Sequence, residues 1–256
     1  MDFNHIKAIV TGGASGLGLA VVEDIIAAGG QAAILDCNQA LGAEVAARLG
    51  DRVHFFLTDV TVEKSVDQAL AEANATMQGI DLGVNCAGIA TSRRVLARDG
   101  LMRSAEFEQI IKINLTGSFT VCRTLANAMQ HNEPVGPDAE RGVIINTASI
   151  AAFEGQIGQA AYAASKGGIA SMTLPLAREF ARLGIRVMAI APGIFETPMF
   201  DILPLEAREA LAANTPFPNR LGQPAEFAAL VRHIVENPML NGSVIRLDGA
   251  LRMAPK

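Results

Sequence analysis

Short apolar runs alternate with longer amphipathic ones from one end of this sequence to the other, and that alternation leaves few folds open. Ile6-Lys7-Ala8-Ile9-Val10 reads as a buried strand, the glycine-rich residues 12–18 as a turn, and 19–28 as a helix packed on that strand and closed by Gly29-Gly30. The pattern then predicts strand 31–36, helix 38–49, strand 52–58, helix 62–78 and strand 81–86. A second series follows: helix 106–130, strand 142–148, helix 158–182, strand 185–190, helix 223–236 and strand 243–248. Strands joined through helices of this length pair in parallel by right-handed crossovers. The expectation is therefore α/β: one doubly wound domain over residues 1–256, its central parallel sheet flanked by helices on both faces. The irregular stretches 88–104, 131–141 and 192–222 fall at or beside strand ends, where open α/β sheets bind ligands.

Composition removes several function classes. Half of the residues are hydrophobic and 18% are charged, which suits a packed core and not a disordered chain. A net charge of −5 gives no electrostatic reason to hold nucleic acid or anionic lipid. No apolar run reaches the ~18 residues needed to span a bilayer. Met1 to Ile6 leads straight into a strand with no signal-like segment, so no membrane partner and a cytoplasmic location are expected. Cys37, Cys86 and Cys122 are too scattered for a disulfide framework. His5, His54, His131 and His233 never stand at helical ligand spacing, so no metal is expected.

Thr11-Gly12-Gly13-Ala14-Ser15-Gly16-Leu17-Gly18 lies between the first strand and the first helix, where small residues let backbone and helix N-terminus approach a pyrophosphate. The spacing of Gly12, Gly16 and Gly18 is G-x-x-x-G-x-G, and a glycine cluster can also be no more than a tight turn. In this setting it points to a Rossmann domain. Asp36 closes the second strand near the ~20-residue offset at which an acid meets the adenosine ribose. Its carboxylate would repel a 2′-phosphate, and Cys37-Asn38-Gln39-Ala40 supplies no Arg or Lys to offset that, so NAD is preferred over NADP. Asp36 can instead cap helix 38–49, and Asp59, a candidate acceptor of the adenine amino group, can instead cap helix 62–78. Asp59-Val60 and Asn85-Cys86-Ala87-Gly88 end two further strands beside the same groove, with Cys86 read as a packing residue.

Tyr162 is the single tyrosine, and Lys166 lies four residues later on a predicted helix, which places both on one face. Bringing a phenol from pKa ~10 toward ~7 takes roughly 4 kcal/mol of preferential phenolate stabilisation. A lysine ammonium and a cationic nicotinamide can supply it together, making Tyr162 a base for alcohol oxidation and an acid for carbonyl reduction. The plainer alternative is a buried tyrosine whose hydroxyl is merely satisfied. Ser149, at the end of strand 142–148, can hold the substrate oxygen or be a turn serine. Asn114 can bend helix 106–130 and hold a water that links Lys166 to solvent, or be a surface asparagine.

Taken together these residues resemble the classical short-chain dehydrogenase/reductase family across nearly the whole chain. The likeness rests on T-G-x-x-x-G-x-G at Thr11–Gly18, N-x-A-G at Asn85–Gly88, the tetrad Asn114-Ser149-Tyr162-Lys166, and P-G-x-x-x-T at Pro192–Thr197. Cys86 departs from the pattern, since many members carry a second Asn there. Residues 141–149, 152–156, 159–162 and 245–250 are most similar to the type II 3-hydroxyacyl-CoA dehydrogenases of fatty acid metabolism. Those also oxidise 2-methyl-3-hydroxyacyl-CoA and some hydroxysteroids with NAD.

The resemblance implies a metal-free, NAD-dependent oxidoreductase acting on a small molecule, and a homotetramer built on long helices and the C-terminal strand. It implies cofactor contacts at Gly12, Ser15, Gly16, Leu17, Gly18, Asp36, Asp59, Val60, Asn85, Cys86, Ala87, Gly88, Tyr162, Lys166, Pro192, Gly193, Phe195 and Thr197. Substrate contacts are implied at Ser149, Gln156, Gln159 and Tyr162. A 3-oxoacyl-carrier-protein reductase shares the tetrad but usually runs on NADPH, against which Asp36 argues. A hydroxysteroid dehydrogenase is a further enzyme alternative, and a non-catalytic, cofactor-sensing scaffold would not need the tetrad. Arg93, Arg94, Arg98 and Arg103 crowd one loop and offer donors to a CoA phosphate, or form a solvated face.

Overall fold

Strand β1 (Lys7–Thr11) sends Ala8 and Val10 into one hydrophobic cluster and Ile9 into another, as a strand covered on both faces must. The same division runs through β7 (Gly142–Thr147), with Val143 and Ile145 on one side and Ile144 on the other, and β8 (Ile185–Pro192), with Met188 and Ile190 opposed to Val187. A computed structural model describes residues 1–198, 206 and 212–255, so residues 199–205 and 207–211 of the irregular stretch 192–222 lie outside the described residues.

The remaining elements follow the expected alternation. They are α1 (Gly16–Ala27), β2 (Gln31–Asp36), α2 (Gln39–Leu49), β3 (Val53–Leu57), α3 (Glu63–Met77) and β4 (Leu82–Asn85), then a hairpin of β5 (Leu96–Ala97) and β6 (Gly100–Leu101). After α4 (Ser104–Ile111) and α5 (Gly117–Met129) come β7, α6 (Ala151–Glu154), α7 (Ala160–Phe180), β8, α8 (Pro224–Glu236) and β9 (Val244–Leu247). Seven parallel strands form one sheet in the order β3-β2-β1-β4-β7-β8-β9. Buried side chains of α1, α2 and α8 fill one face, and those of α3, α5 and α7 fill the other. The order in which successive strands are laid down across the sheet reverses between β1 and β4, where Thr11 pairs with Leu35 on one side and Asn85 on the other. The crevice opened by such a reversal at the strand C-termini is where ligands of doubly wound sheets sit.

Three local departures from the expected elements have physical causes. The predicted helix 106–130 is two α-helices joined by one π turn, Lys112–Thr116, with Asn114 buried inside it. Loop 88–104 contains the β5–β6 hairpin, turned at Arg98-Asp99 ahead of Gly100, which adopts φ +124°. Helix α1 starts at Gly16 and not at residue 19, because the last glycines of the turn are already its first helical turn.

Helix α1 can lie this close to β1 only because position 18 has no side chain: a Cβ there would overlap the Gly12 carbonyl oxygen and press on the Gly13 Cα at 3.1 Å. Both are backbone atoms that cannot swing aside. Gly18→Ala should therefore lower folding stability by about 1–3 kcal/mol, an overpacking penalty that a urea melt would measure. A variant as stable as the wild type would show that the contact is softer than the packing implies.

Candidate active site

The C-terminal ends of β1, β2, β4, β7 and β8 open onto one cleft of about 790 Å³. Gly12, Ser15, Gly16, Leu17, Gly18, Asp36, Asp59 and Val60 line it, as do Cys86, Ala87, Gly88, Pro192, Gly193, Phe195 and Thr197. So do Ser149, Gln159, Tyr162 and Lys166. Fifteen of the expected cofactor residues outside the tetrad and four of the expected catalytic and substrate residues thus share a single wall system, although they come from loops scattered over 180 residues of sequence.

At the glycine turn the backbone is shaped to receive a ligand. Gly12 holds φ +65°, and a Cβ there would meet the Ala87 amide nitrogen at 2.8 Å, so the β1 and β4 loops approach as closely as backbones can. Ser15, the N-cap residue of α1, makes no side-chain capping bond, leaving the helix's first amides to be met from the cleft. Asp36 is held in place by the Asn38 amide at 3.0 Å and the Ala14 amide at 3.3 Å. It does not cap α2; Asn38 does, accepting from the Leu41 amide at 3.1 Å. The N-cap of α3 is Val62, so Asp59 is not its capping residue; its Oδ1 accepts from the Thr61 amide at 2.8 Å. Both carboxylates line the cleft. Exposed helix-end amides beside a bare backbone cradle and a ribose-distance acid fit a dinucleotide.

At the other end Ser149 accepts from the Ala151 amide at 3.1 Å, which leaves its hydroxyl hydrogen to point elsewhere. Lys166 is buried one helical turn beyond Tyr162, its Nζ 5.8 Å from the centre of the phenol ring, and donates to the Thr147 carbonyl at 2.6 Å. Burial drives its pKa down to about 8, with Cys86 pulling the other way. Burial also raises the Tyr162 pKa, offset in part by the Ser149 hydroxyl. In the protein alone the phenol therefore keeps its proton. The acidified tyrosine expected from Lys166 and a cationic nicotinamide together needs more positive charge in the cleft than Lys166 alone brings.

Three expected site residues sit outside the cleft lining. Asn85 is a buried pin: it accepts from Thr11 Oγ1 at 3.3 Å and donates to Asn146 Oδ1 at 2.8 Å, tying β1, β4 and β7 together behind the cleft. Asn114 Oδ1 accepts from the Ile89 amide at 2.9 Å, and its Nδ2 donates to the Ile89 carbonyl at 2.9 Å and to Ser165 at 3.1 Å. With both Nδ2 hydrogens committed, its side chain holds loop 88–90 against α7 and has no donor left for a water. Gln156 donates to the Ala254 carbonyl at 3.0 Å, on the outer side of its turn. Phe195 turns its ring into the core against Gly222, so it faces the cleft by backbone.

Two of the four loop arginines pair with acids. Arg93 pairs with Asp99 and Glu106 at 3.3 and 3.2 Å, and Arg103 pairs with Glu106 at 3.3 Å. None of the four lines the cleft. Conversely, Gln109, Lys112, Thr147 and Met253 line it without having been singled out. Lys112 stands two residues before Asn114, and Thr147 two before Ser149, spacings that flagged the neighbours only; Met253 reaches the site by long-range folding that leaves no local signal. Among the described residues no helix is long and apolar enough to cross a membrane, and no three His, Cys, Asp or Glu side chains gather as a metal site would need.

The profile of the short chain dehydrogenase family matches residues 7–206. The 3-hydroxyacyl-CoA dehydrogenase type-2 of Homo sapiens is 52% identical over 252 residues, 98% of this chain and 96% of that protein. Its namesake from Drosophila melanogaster is 51% identical over 250 residues, 97% of this chain and 98% of the relative. The crystal structure of 3-hydroxyacyl-CoA dehydrogenase type-2 from Mycobacterium avium superposes with a TM-score of 0.91 at 41% identity, covering 98% of each chain.

The depressed Lys166 carries a stability signature. Between pH 8 and 10.5 the unfolded chain holds this proton and the folded chain does not, so the burial penalty, complete below pH 8, fades as pH rises. Cys86 and Cys122, raised to about 11 and 12, act in the opposite sense above pH 9 and must be subtracted. The stability of the wild type relative to Lys166→Met should therefore improve by roughly 1–3 kcal/mol from neutral pH to pH ~10, measured by urea denaturation. Parallel pH profiles for the two proteins would contradict a lysine buried at a cost.

Proposed function

The chain belongs to the short chain dehydrogenase family and is an oxidoreductase of a small molecule with a nicotinamide cofactor, and from that premise we propose that it interconverts 3-hydroxyacyl-CoA, 2-methyl-branched forms included, and the 3-ketoacyl-CoA using NAD. One observation carries the reading: the single tyrosine, Ser149 and Lys166 share a cleft with the α1 turn and Asp36, in a chain 52% identical to a protein named for that activity. Bound NAD supplies the hydride acceptor and, when oxidised, the positive charge that the buried phenol lacks.

The chain's own residues do the rest. Ser149, whose oxygen accepts from the Ala151 amide, offers its hydroxyl hydrogen to the substrate oxygen. Tyr162 Oη, protonated in its buried setting, gives that proton to the ketone oxygen in reduction. In the reverse direction the phenolate takes the hydroxyl proton. Lys166, cationic below about pH 8, stabilises that phenolate across the helix face, and the Thr147 carbonyl fixes where the ammonium sits. Asn114 is a positioning residue that holds loop 88–90. Asp36 supports NAD over NADP, since no cation stands in residues 37–40 to receive a 2′-phosphate.

We read the assembly as a homotetramer and the compartment as cytoplasmic. Exposed Phe107 and Phe119 on α4 and α5, and Phe217 and Met239 near β9, supply apolar faces for copies of the chain, and the three cysteines are free thiols.

Tyr162→Phe should still bind NADH, followed by its fluorescence, while kcat for a 3-hydroxyacyl-CoA falls by about 10²–10⁴; near-normal turnover would remove the tyrosine from the chemistry. The wild type should favour NAD over NADP in kcat/KM, and Asp36→Ala should shrink that ratio by at least about tenfold, roughly 1.4 kcal/mol. A preference for NADPH would turn the reading toward a reductase.

A further inference from the structure

After β9 the chain folds back across α6, and the path is fastened at nearly every residue. Glu154, the last residue of α6, is the hub. Its carboxylate receives the Arg246 guanidinium on both oxygens at 2.8 and 3.1 Å, pairs with Arg252 at 3.3 Å and accepts from the Met253 amide at 3.3 Å. Asp248 grips Arg246 from its other edge at 2.7 Å, and Arg246 also donates to the Leu251 carbonyl at 3.0 Å. Further along, Gln156 donates to the Ala254 carbonyl and the Ile157 amide to the Pro255 carbonyl, each at 3.0 Å.

A two-pronged arginine–carboxylate pair, among the strong forms of charge-assisted hydrogen bond, ties β9 to α6, and the same two side chains hold the Leu251 carbonyl and the Met253 amide beside the cleft. The Arg246 guanidinium keeps the Glu154 carboxyl below the usual carboxylate range, so the pair stays ionised near neutral pH. From this fastened segment Met253 lines the same cleft as Ser149, Tyr162 and Gln159. The turn that receives the tail is also the one that sets Gln159, whose Oε1 accepts from the Gln156 amide at 3.0 Å. Methionine is unbranched and polarizable and adapts to irregular apolar shapes. It has no proton to trade, so its place at this end of the cleft is one of fit.

We propose that residues 251–255 form a strap completing the substrate end of the cleft, with Met253 a specificity-determining contact for the apolar carbon chain of the substrate and Glu154–Arg246 the positioning pair that sets the strap. This deepens the hydroxyacyl reading and rests on it for the identity of the carbon chain. The strap acts by contact with the part of the substrate that does not react, so its signature is in KM and not in proton transfer.

The test uses the full chain as wild type, Met253→Ala and Glu154→Gln, with short and long straight-chain 3-hydroxyacyl-CoA substrates and NAD. Met253→Ala should raise the ratio of long-chain to short-chain KM by about three- to tenfold, with the kcat ratio held. Glu154→Gln should move the KM ratio in the same direction by less, and should speed amide exchange at Ile157 and Met253, read by mass spectrometry. Equal KM changes for both substrates in Met253→Ala would overturn the proposal. So would a Glu154→Gln protein whose strap exchanges faster while the KM ratio stays put. If the wild type oxidises no hydroxyacyl-CoA, the substrate reading fails instead, and secondary alcohols of increasing chain length decide the strap by the same two criteria.

Discussion

Every strand of a parallel sheet points the same way, and from that one constraint the site follows. The loops after β1, β2, β4, β7 and β8 must all emerge on one edge, and the reversal between β1 and β4 keeps two of them from crossing over the gap. Gly12 and Gly18 then let the first loop sink to van der Waals contact with its neighbours, which brings the amide end of α1 level with the cleft floor. Buried cross-strand pins hold the floor rigid: Thr11 to Asn85 and Asn85 to Asn146 span β1, β4 and β7 at the depth where the loops begin. These buried inter-strand links restrict how far the strand ends can shift relative to one another, although Asn146 Nδ2 is left without a partner among the described residues.

The layer order and the identity of the cleft were legible because they depend on local pattern. A run such as Ile6 to Val10 can be buried on both faces only in a sheet covered twice, and glycines at a strand-to-helix junction have few other uses. What escaped was set by contacts distant in sequence. The π turn at Asn114 arises where its side chain bridges Ile89 and Ser165, partners 25 and 51 residues away. Nothing near Gln156 announces that its amide is claimed by Ala254, 98 residues on. Charge counts leave the loop arginines open as phosphate donors or a solvated face because they ignore geometry, and Asp99 and Glu106 fold back to meet two of them. The Asp99-Gly100 dipeptide, by contrast, is a local hairpin signal inside 88–104, and in the structure the turn falls one residue earlier, at Arg98-Asp99.

Asn85 and Asn114 illustrate how a motif can be real while its members serve different ends. Both fall in segments that border the cleft, yet each spends its amide on the backbone or on another buried polar group. Their value to the site is indirect: Asn85 fixes the strand from which Cys86, Ala87 and Gly88 line the cleft, and Asn114 fixes the loop just beyond it. A residue of this kind resists the usual expectation that polar side chains at a site touch the ligand, because a buried amide left without partners would cost more than a lost contact.

The proposed acid–base pair, Tyr162 and Lys166, poses the sharper physical question. Burial disfavours the charged form of both partners: it pushes the Tyr162 phenol toward staying protonated and the Lys166 ammonium toward losing its proton. Left to themselves the two therefore settle as a neutral acid beside a weakened base, a resting state suited to giving a proton to a carbonyl. Oxidation of an alcohol asks for the opposite, a phenolate, and desolvation opposes it until a cation enters the same low-dielectric space. Inside such a space an added positive charge is screened less than it is in bulk water. The direction of proton flow is then governed by the charge of what occupies the cleft and not by any change in the tyrosine's own neighbours. On the proposed reading, one arrangement of Ser149, Tyr162 and Lys166 serves both directions.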